Sequence, residues 1–210
     1  MPGTALAVAV APVAGAGGVG GGGGGPGLIY DTFTGTNGTL LPAHTPDNNS
    51  PGNSWVQGPG TVTDAWSLSN GKAVIDPLQY QRTAYIDTGI TDYRVTATVN
   101  VAGVSSSFTR GVVVRGDGAG SNQYWVGLTY SGNVLRIGDV GYGSLAEVAF
   151  TVTPGVDYEL VVECVGTTIT ASIGATSVQY TSAATTGRTY VGLCQRDGSD
   201  TLDDFLVEAL

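Results

Sequence analysis

The sequence predicts an all-β fold of two packed antiparallel layers, and three observations predict it. Turn formers abound and helix formers are scarce: 34 glycines and thirteen aspartates stand against four glutamates and one lysine in 210 residues. Short runs rich in β-branched and aromatic residues recur at the spacing of a sandwich or barrel. No stretch of useful length carries the 3.6-residue period of a helix.

Residues 1–27 form a segment apart. An Ala/Val alternation, LAVAVAPVAGAG, passes into Gly20, Gly21, Gly22, Gly23, Gly24 and Gly25 and then Pro26. Such a tract reads as a flexible linker or as an assembly arm, since small residues let neighbouring chains approach closely. The domain begins at Leu28. LIYDTFT is a strand with Ile29 and Phe33 placed for burial, followed by a long turn-rich stretch that ends at Trp55, a core or rim anchor.

Strands follow at 66–69, 72–75, 82–87, 93–101, 109–115, 123–130, 134–139, 146–152, 157–165, 168–173, 177–181, 190–195 and 205–209. In 93–101, Tyr93, Val95, Ala97, Val99 and Val101 share one face. In 157–165, Tyr158, Leu160, Val162 and Cys164 face the core, with Glu159 and Glu163 outside. The hairpin 108–131 is the centre of the fold. Its second strand is apolar on both faces, with Tyr124, Val126, Leu128 and Tyr130 on one and Trp125, Gly127 and Thr129 on the other. Such a strand sits mid-sheet, filling the core on one side and lining a groove on the other. The closing strand, DDFLVEAL, needs a partner to stay ordered, and the opening strand is the natural one.

Charge excludes several partners. Net charge is −9 and only 12% of residues are charged, so the clustered Lys and Arg that phosphate binding needs are missing. Anionic membrane surfaces are disfavoured for the same reason. No apolar run approaches the ~18 residues of a transmembrane helix. Residues 5–13 are apolar but lack a basic start, so no signal peptide is expected, and release from the cell would take another route such as lysis. Cys164 and Cys194 fit either a disulfide or two small buried hydrophobes.

Several blocks in order carry a resemblance: D-T-F-x-G-x-x-G-T-L-L-x-x-H-T-P-D followed by S-W (31 to 55), G-V-V-V-R-G, Q-Y-W-V-G-L, F-T-V-T-P-G-x-x-Y-x-L-x-V and a closing D-D-F-x-V. Over residues 28–210 the chain resembles concanavalin A-like lectin/glucanase (LamG-like) domains. With a glycine-rich segment in front, it looks like minor tail and other virion proteins of phages of high-GC Gram-positive bacteria. The resemblance implies an antiparallel two-sheet jelly-roll sandwich preceded by an extended glycine-rich arm. It also implies a concave face or loop end that often binds glycans, sometimes with calcium.

Catalysis is not expected. Glucan-cleaving members carry E-x-D-x-E on one strand, and Glu147, Glu159, Glu163 and Glu208 do not form it. His44, in a turn-rich loop, is expected to hydrogen-bond the turn between Pro42 and Pro46. Asp197, Asp200, Asp203 and Asp204 cluster around a turn, with Asp31 near if the ends pair. They suit either a structural calcium or ordinary turn capping. Asp117 and Asn122 at the hairpin tip are a weaker version of the same pattern. For glycans, Trp125, Tyr142, Tyr130 and Trp66 offer rings to stack on sugars, and Arg115 and Arg110 offer planar donors; each ring also fits core packing. Tyr142 is the least core-like, in a Gly141-Tyr142-Gly143 loop.

The expected function is therefore non-enzymatic. The chain reads as a multicopy virion protein joined to other virion proteins through residues 1–27, with a lectin-like domain displayed to host glycans. The alternative is a secreted carbohydrate-binding module or inactive glucanase-like domain.

Overall fold

The computed structural model describes residues 28–58, 66–75, 82–102, 108–140, 143–195 and 199–210. The expectations for residues 1–27 with Gly20–Gly25, for Tyr142 and for Asp197 lie outside the described residues.

The strands are β1 (Ile29–Asp31), β2 (Asn48–Asn49), β3 (Val56–Gln57), β4 (Trp66–Ser69), β5 (Lys72–Ile75), β6 (Arg82–Asp87), β7 (Tyr93–Asn100) and β8 (Arg110–Gly116). They continue as β9 (Tyr124–Thr129), β10 (Val134–Asp139), β11 (Ser144–Ala149), β12 (Asp157–Val165), β13 (Thr168–Ile173), β14 (Thr176–Thr181), β15 (Tyr190–Gln195) and β16 (Thr201–Ala209). One 3-10 turn, Leu41–Ala43, is the only helical element among the described residues.

One sheet runs β14-β13-β12-β7-β16-β1-β2, with β5 on β16 and β4 on β5; the other runs β11-β10-β9-β8-β15-β6-β3. Every pairing among the described residues is antiparallel. The two sheets face each other across one apolar core, the jelly-roll sandwich that the strand pattern predicts. The chain ends meet as expected, with Ile29 opposite Val207 and Asp31 opposite Phe205. β7 and β12 show the predicted alternation: Val95, Ala97 and Val99 are buried beside Leu160, Val162 and Cys164. On the outer side Arg94 bridges Glu163 at 2.6 Å and Glu208 at 3.7 Å, so polar side chains face water where apolar ones face the core.

β8 and β9 are buried on both faces. Tyr124, Val126 and Leu128 enter the main core. On the far side of the sheet, Trp125 packs with Val113, Tyr85 and Cys194 in a second, smaller cluster. Both cysteines are buried and neither is in a disulfide. They behave as small hydrophobes, and burial pushes the Cys164 thiol up to about 11 despite the neighbouring Arg115 guanidinium.

The turn-rich stretch after β1 is fastened by a buried carboxylate. Asp31 accepts from the Phe33 backbone N–H, His44 Nε2 and Trp55 Nε1, each at 2.8 Å. His44 was expected to bond its local turn; its backbone N–H does so, to the Leu41 carbonyl, but its ring goes to Asp31. The short β2, β3 and the 3-10 turn were not anticipated. Several strand limits move by one residue, and two strands shift further: the expected 146–152 is Ser144–Ala149, and the last strand starts at Thr201.

Candidate functional site

Three connections meet at one end of the sandwich: the β8–β9 tip, the β10–β11 turn and the β14–β15 loop. Between them lies a cleft of about 390 Å³, whose lining includes Gln123, Tyr124, Asp139, Leu145, Tyr180 and Thr185. The tip is organised by Asp117, which accepts from the Ala119 N–H at 2.9 Å, the Ser121 N–H at 3.3 Å and Asn122 Nδ2 at 3.1 Å. Burial works to raise its carboxyl, but these bonds and Arg188 outweigh it, so the carboxyl stays below its ordinary range. That is an Asx-type turn, the local chemistry that Gly-Asp-Gly-Ala-Gly-Ser-Asn favours. On β10, Asp139 accepts from the Gly143 N–H at 3.0 Å and so closes the second connection.

Tyr124 on one sheet meets Tyr180 on the other, ring centroids 5.6 Å apart and nearly edge-to-face at 64°. The pair spans the sandwich at the cleft. Gln123 and Thr185, 4% and 7% exposed, line the same cleft. Each carries a buried side-chain oxygen, Gln123 Oε1 and Thr185 Oγ1, with no hydrogen-bond partner among the described residues. The Gln123 amide hydrogen-bonds the Tyr85 hydroxyl, which the Thr83 hydroxyl also meets, donating at 2.6 Å. Burial raises the Tyr85 phenol above its ordinary value, and those two bonds offset part of the rise. The Gln123 side chain thus turns to the outer-face cluster, while the rings stand beside Asn122, Asp139 and Ser182, and rings beside a few polar groups form the usual lining of a small polar-ligand site.

The residues singled out from sequence fall in several places. Trp125 lies on the outer face of the seven-stranded sheet, in the cluster with Tyr85, two positions from Gln123. Trp66 is wholly inside the main core, and its indole N–H has no partner among the described residues. Tyr130 sits half-buried just past β9, at the end of that strand away from the cleft. Arg110 is fully buried and donates from Nε to Asp200 at 2.6 Å, a core ion pair out of reach of a ligand.

Arg115 is also fully buried. Its φ of +50° breaks the alternation that would set it beside Val113. Its guanidinium instead lies near the Cys164 thiol, its three nitrogens without a hydrogen-bond partner among the described residues, while its backbone N–H donates to the Tyr93 hydroxyl at 2.7 Å. Gln123, Asp139, Tyr180 and Thr185 were not singled out. The available signal was weak: two turn-rich connections, DVGYG and TSAATTG, each following an aromatic or charged strand end.

The three described aspartates of that turn are each engaged in the fold. Asp200 is committed to Arg110 and to the Ala102 N–H, Asp203 faces Lys72 at 3.6 Å, and Asp204 accepts from Thr98 at 3.4 Å. No group of three or more His, Cys, Asp or Glu is arranged for a metal among the described residues. Asp31 is enclosed by its own three donors. No helix among the described residues is long and apolar enough to cross a membrane.

No family model and no curated protein matches the chain. Solved structures do. The carbohydrate-binding module CBM66 from Bacillus subtilis matches at TM-score 0.59 and 14% identity, over 74% of this chain and 95% of that one. The GH43 protein BlXynB of Bacillus licheniformis matches at TM-score 0.60 and 14% identity, over 87% of this chain but only 39% of its own length. The exoplasmic/lumenal domain of VIP36 in its Ca2+/Man2-bound form matches at TM-score 0.50 and 10% identity, over 83% and 87%. Likeness at these identities establishes the fold, a concanavalin A-like jelly roll, and no more than the fold.

Proposed function

We propose that this chain is a non-catalytic glycan-binding protein of a virion, with the loop-end cleft as its sugar site and residues 1–27 as its attachment to the particle. The cleft is the observation that carries the sugar reading. It sets the Tyr124–Tyr180 ring pair beside the polar residues Asn122, Asp139 and Ser182. Sugars present apolar C–H faces and many hydroxyls, so they suit such a lining. The neighbours agree in kind: one is a carbohydrate-binding module, and the VIP36 domain is in a Man2-bound form.

A non-catalytic role fits the glutamates. Glu163 and Glu208 share Arg94, and Glu147 accepts from Ser144 at 2.8 Å, so these acids lie on separate strands tied to structural partners. Glycosidases use two carboxyls about 5–10 Å apart as acid and base or nucleophile across the bond, whereas Glu163 and Glu208, the pair near enough to each other, are both held by the Arg94 guanidinium between them. The virion part rests on the glycine tract and on the sequence blocks. Many copies on one particle turn weak single-site affinity into avidity. A secreted carbohydrate-binding module is the second reading, favoured by the match over 95% of CBM66.

A glycan array probed with the full chain tests the sugar site. Binding is expected, with Tyr180→Ala lowering it about tenfold, since one ring stacked on a ligand is worth on the order of 1.5 kcal/mol. A chain that binds no glycan would leave particle decoration as its role. Deleting residues 1–27 is expected to leave a folded domain that no longer joins its particle, and full incorporation of the truncated chain would overturn the attachment role. Tyr142→Ala is expected to lower binding with no fall in melting temperature.

A further inference from the structure

We infer that this chain pairs with a second copy of itself through β14, edge to edge and antiparallel, so that the nine-stranded sheets of the two copies join into one. β14 is the outermost strand of that sheet, and among the described residues no strand pairs with its outer side. An open edge is a row of unpaired N–H and C=O groups, and edges are normally blunted by shortness, charge, proline or a bulge. The other described edges are blunted. β2 and β3 have two residues each. β4 is covered by the Leu40–Ser67 bridge and by the bonds of Gly38 and Thr39 with Leu68. β11 carries Glu147, and its pairing with β10 is broken by a bulge at Ile137/Gly138. β14 has none of these protections: TSVQYT is six residues without charge or proline, in unbroken register with β13.

The phase of the backbone fixes the register. Ile173 and Thr176 flank a two-residue turn, so they exchange both hydrogen bonds. Bonded positions recur at every second residue, so Thr176, Val178 and Tyr180 turn their backbone groups to β13. The Ser182 N–H continues that series, donating to the Thr167 carbonyl at 2.8 Å. Ser177, Gln179 and Thr181 therefore turn theirs to the open side, and their side chains are exposed. A two-fold axis through Gln179 sets it opposite Gln179 of the second copy, sets Ser177 opposite Thr181, and closes about six backbone bonds. On the core side, Val178 of one copy falls opposite Tyr180 of the other. Both are only partly buried within one chain, and a β-branched residue beside an aromatic one is a favourable cross-strand pair.

The charge pattern points to a copy of this chain on that edge. With a net charge of −9, two copies repel over most of their surface. Residues 164–187 hold no charged side chain, the longest such run between Leu28 and Leu210. β13, β14 and the turns beside them thus form the face on which like-charged copies repel least. Glu147 on the adjoining β11 lies opposite Arg136, on the side of its sheet away from the core, and accepts from Ser144.

Sedimentation velocity of the full chain from roughly 1 to 200 μM tests the pairing, a range suited to a small interface. A dimer whose share rises with concentration is expected. Gln179→Lys puts two like charges face to face across the axis and should weaken the dimer about tenfold, as should Gln179→Glu. Position 179 is exposed, so neither variant should change the melting temperature measured at low concentration. An equimolar mixture of the two variants should regain the dimer, since opposite charges now face each other. A full chain that stays monomeric over the whole range overturns the inference. A dimer that neither variant weakens forms through another surface, residues 1–27 included, and overturns it as well. Two weakened variants that do not recover on mixing would show that Gln179 does not face itself, and the two-fold register fails. Gln179 is not among the residues lining the cleft, so the variants should bind glycan per chain as the unaltered protein does, and the pairing stands or falls apart from the sugar site.

Discussion

Two polar regions of this molecule differ in how completely they are closed. Around Asp31 the carboxylate is filled: the Phe33 N–H, the His44 ring and the Trp55 indole all donate to it at 2.8 Å, and Asp31 has no exposed surface. At the cleft, Gln123 and Thr185 are nearly as buried, yet each keeps an oxygen with no described partner. Burying polar atoms is costly unless they are paired. A region that pairs all of them contributes to the fold, whereas one that leaves some open, as at Gln123, Thr185, Trp66 and Arg115, carries a cost that bound water can relieve. The Arg110–Asp200 pair belongs with the first kind, since Asp200 also accepts from the Ala102 N–H at 2.7 Å.

The largest effect should come from opening the closed region. Asp31→Ala strands the His44 and Trp55 donors in the core and cuts the tie that holds residues 32–55 to β1. A loss of about 3–5 kcal/mol is expected, as for other broken buried charge networks. Urea unfolding followed by tryptophan fluorescence measures it, and a loss below about 1 kcal/mol, the value of one ordinary hydrogen bond, would show that the region is not the clasp described. Trp55→Phe is milder. It keeps most of the ring packing against Phe33 and Phe205 but leaves one Asp31 oxygen without its donor. About 1–3 kcal/mol should be lost, with cleft affinity unchanged, which separates the two regions in one variant.

The same contrast explains what the sequence made legible. β9 could be read as buried on both faces because period-two alternation set Val126 and Leu128 against Trp125, and both sets find apolar partners. The pairing of the chain ends followed from two apolar strands that each needed a partner. The Asp31 clasp was not legible, since its donors lie 2, 13 and 24 residues away, at no periodic spacing. The cleft was harder still. Tyr124 and Tyr180 are brought together only by the order of strands in two different sheets. Arginines are rare here, so Arg110 and Arg115 stood out as binding groups, but the fold uses Arg110 for a core ion pair and the backbone at Arg115 turns its side chain inward. Rarity marked buried charge rather than a site.

The smallest predicted effect sharpens the edge of the closed region. Asp47 accepts from the Thr32 hydroxyl at 2.6 Å and the Thr32 N–H at 2.8 Å, and these bonds, the hydroxyl first, hold its carboxyl below the ordinary range. A carboxyl depressed on folding stabilises the native state fully above its unfolded value of about 3.9, and that contribution fades as pH falls through the lower folded value. Asp47→Asn should therefore lower the urea midpoint slightly and by a constant amount between pH 5 and 7, on the order of an exposed hydrogen-bonded pair. As pH falls through that lower folded value the two proteins should converge, because the native carboxylate is protonated. The exposed position of Asp47 keeps the difference small, whereas the enclosed Asp31 just inside it should give a large one, so the ratio of the two effects measures how sharply the clasp ends at the surface. Equal losses from Asp47→Asn and Asp31→Ala would mean that the fastening is spread along the whole loop rather than concentrated on one carboxylate.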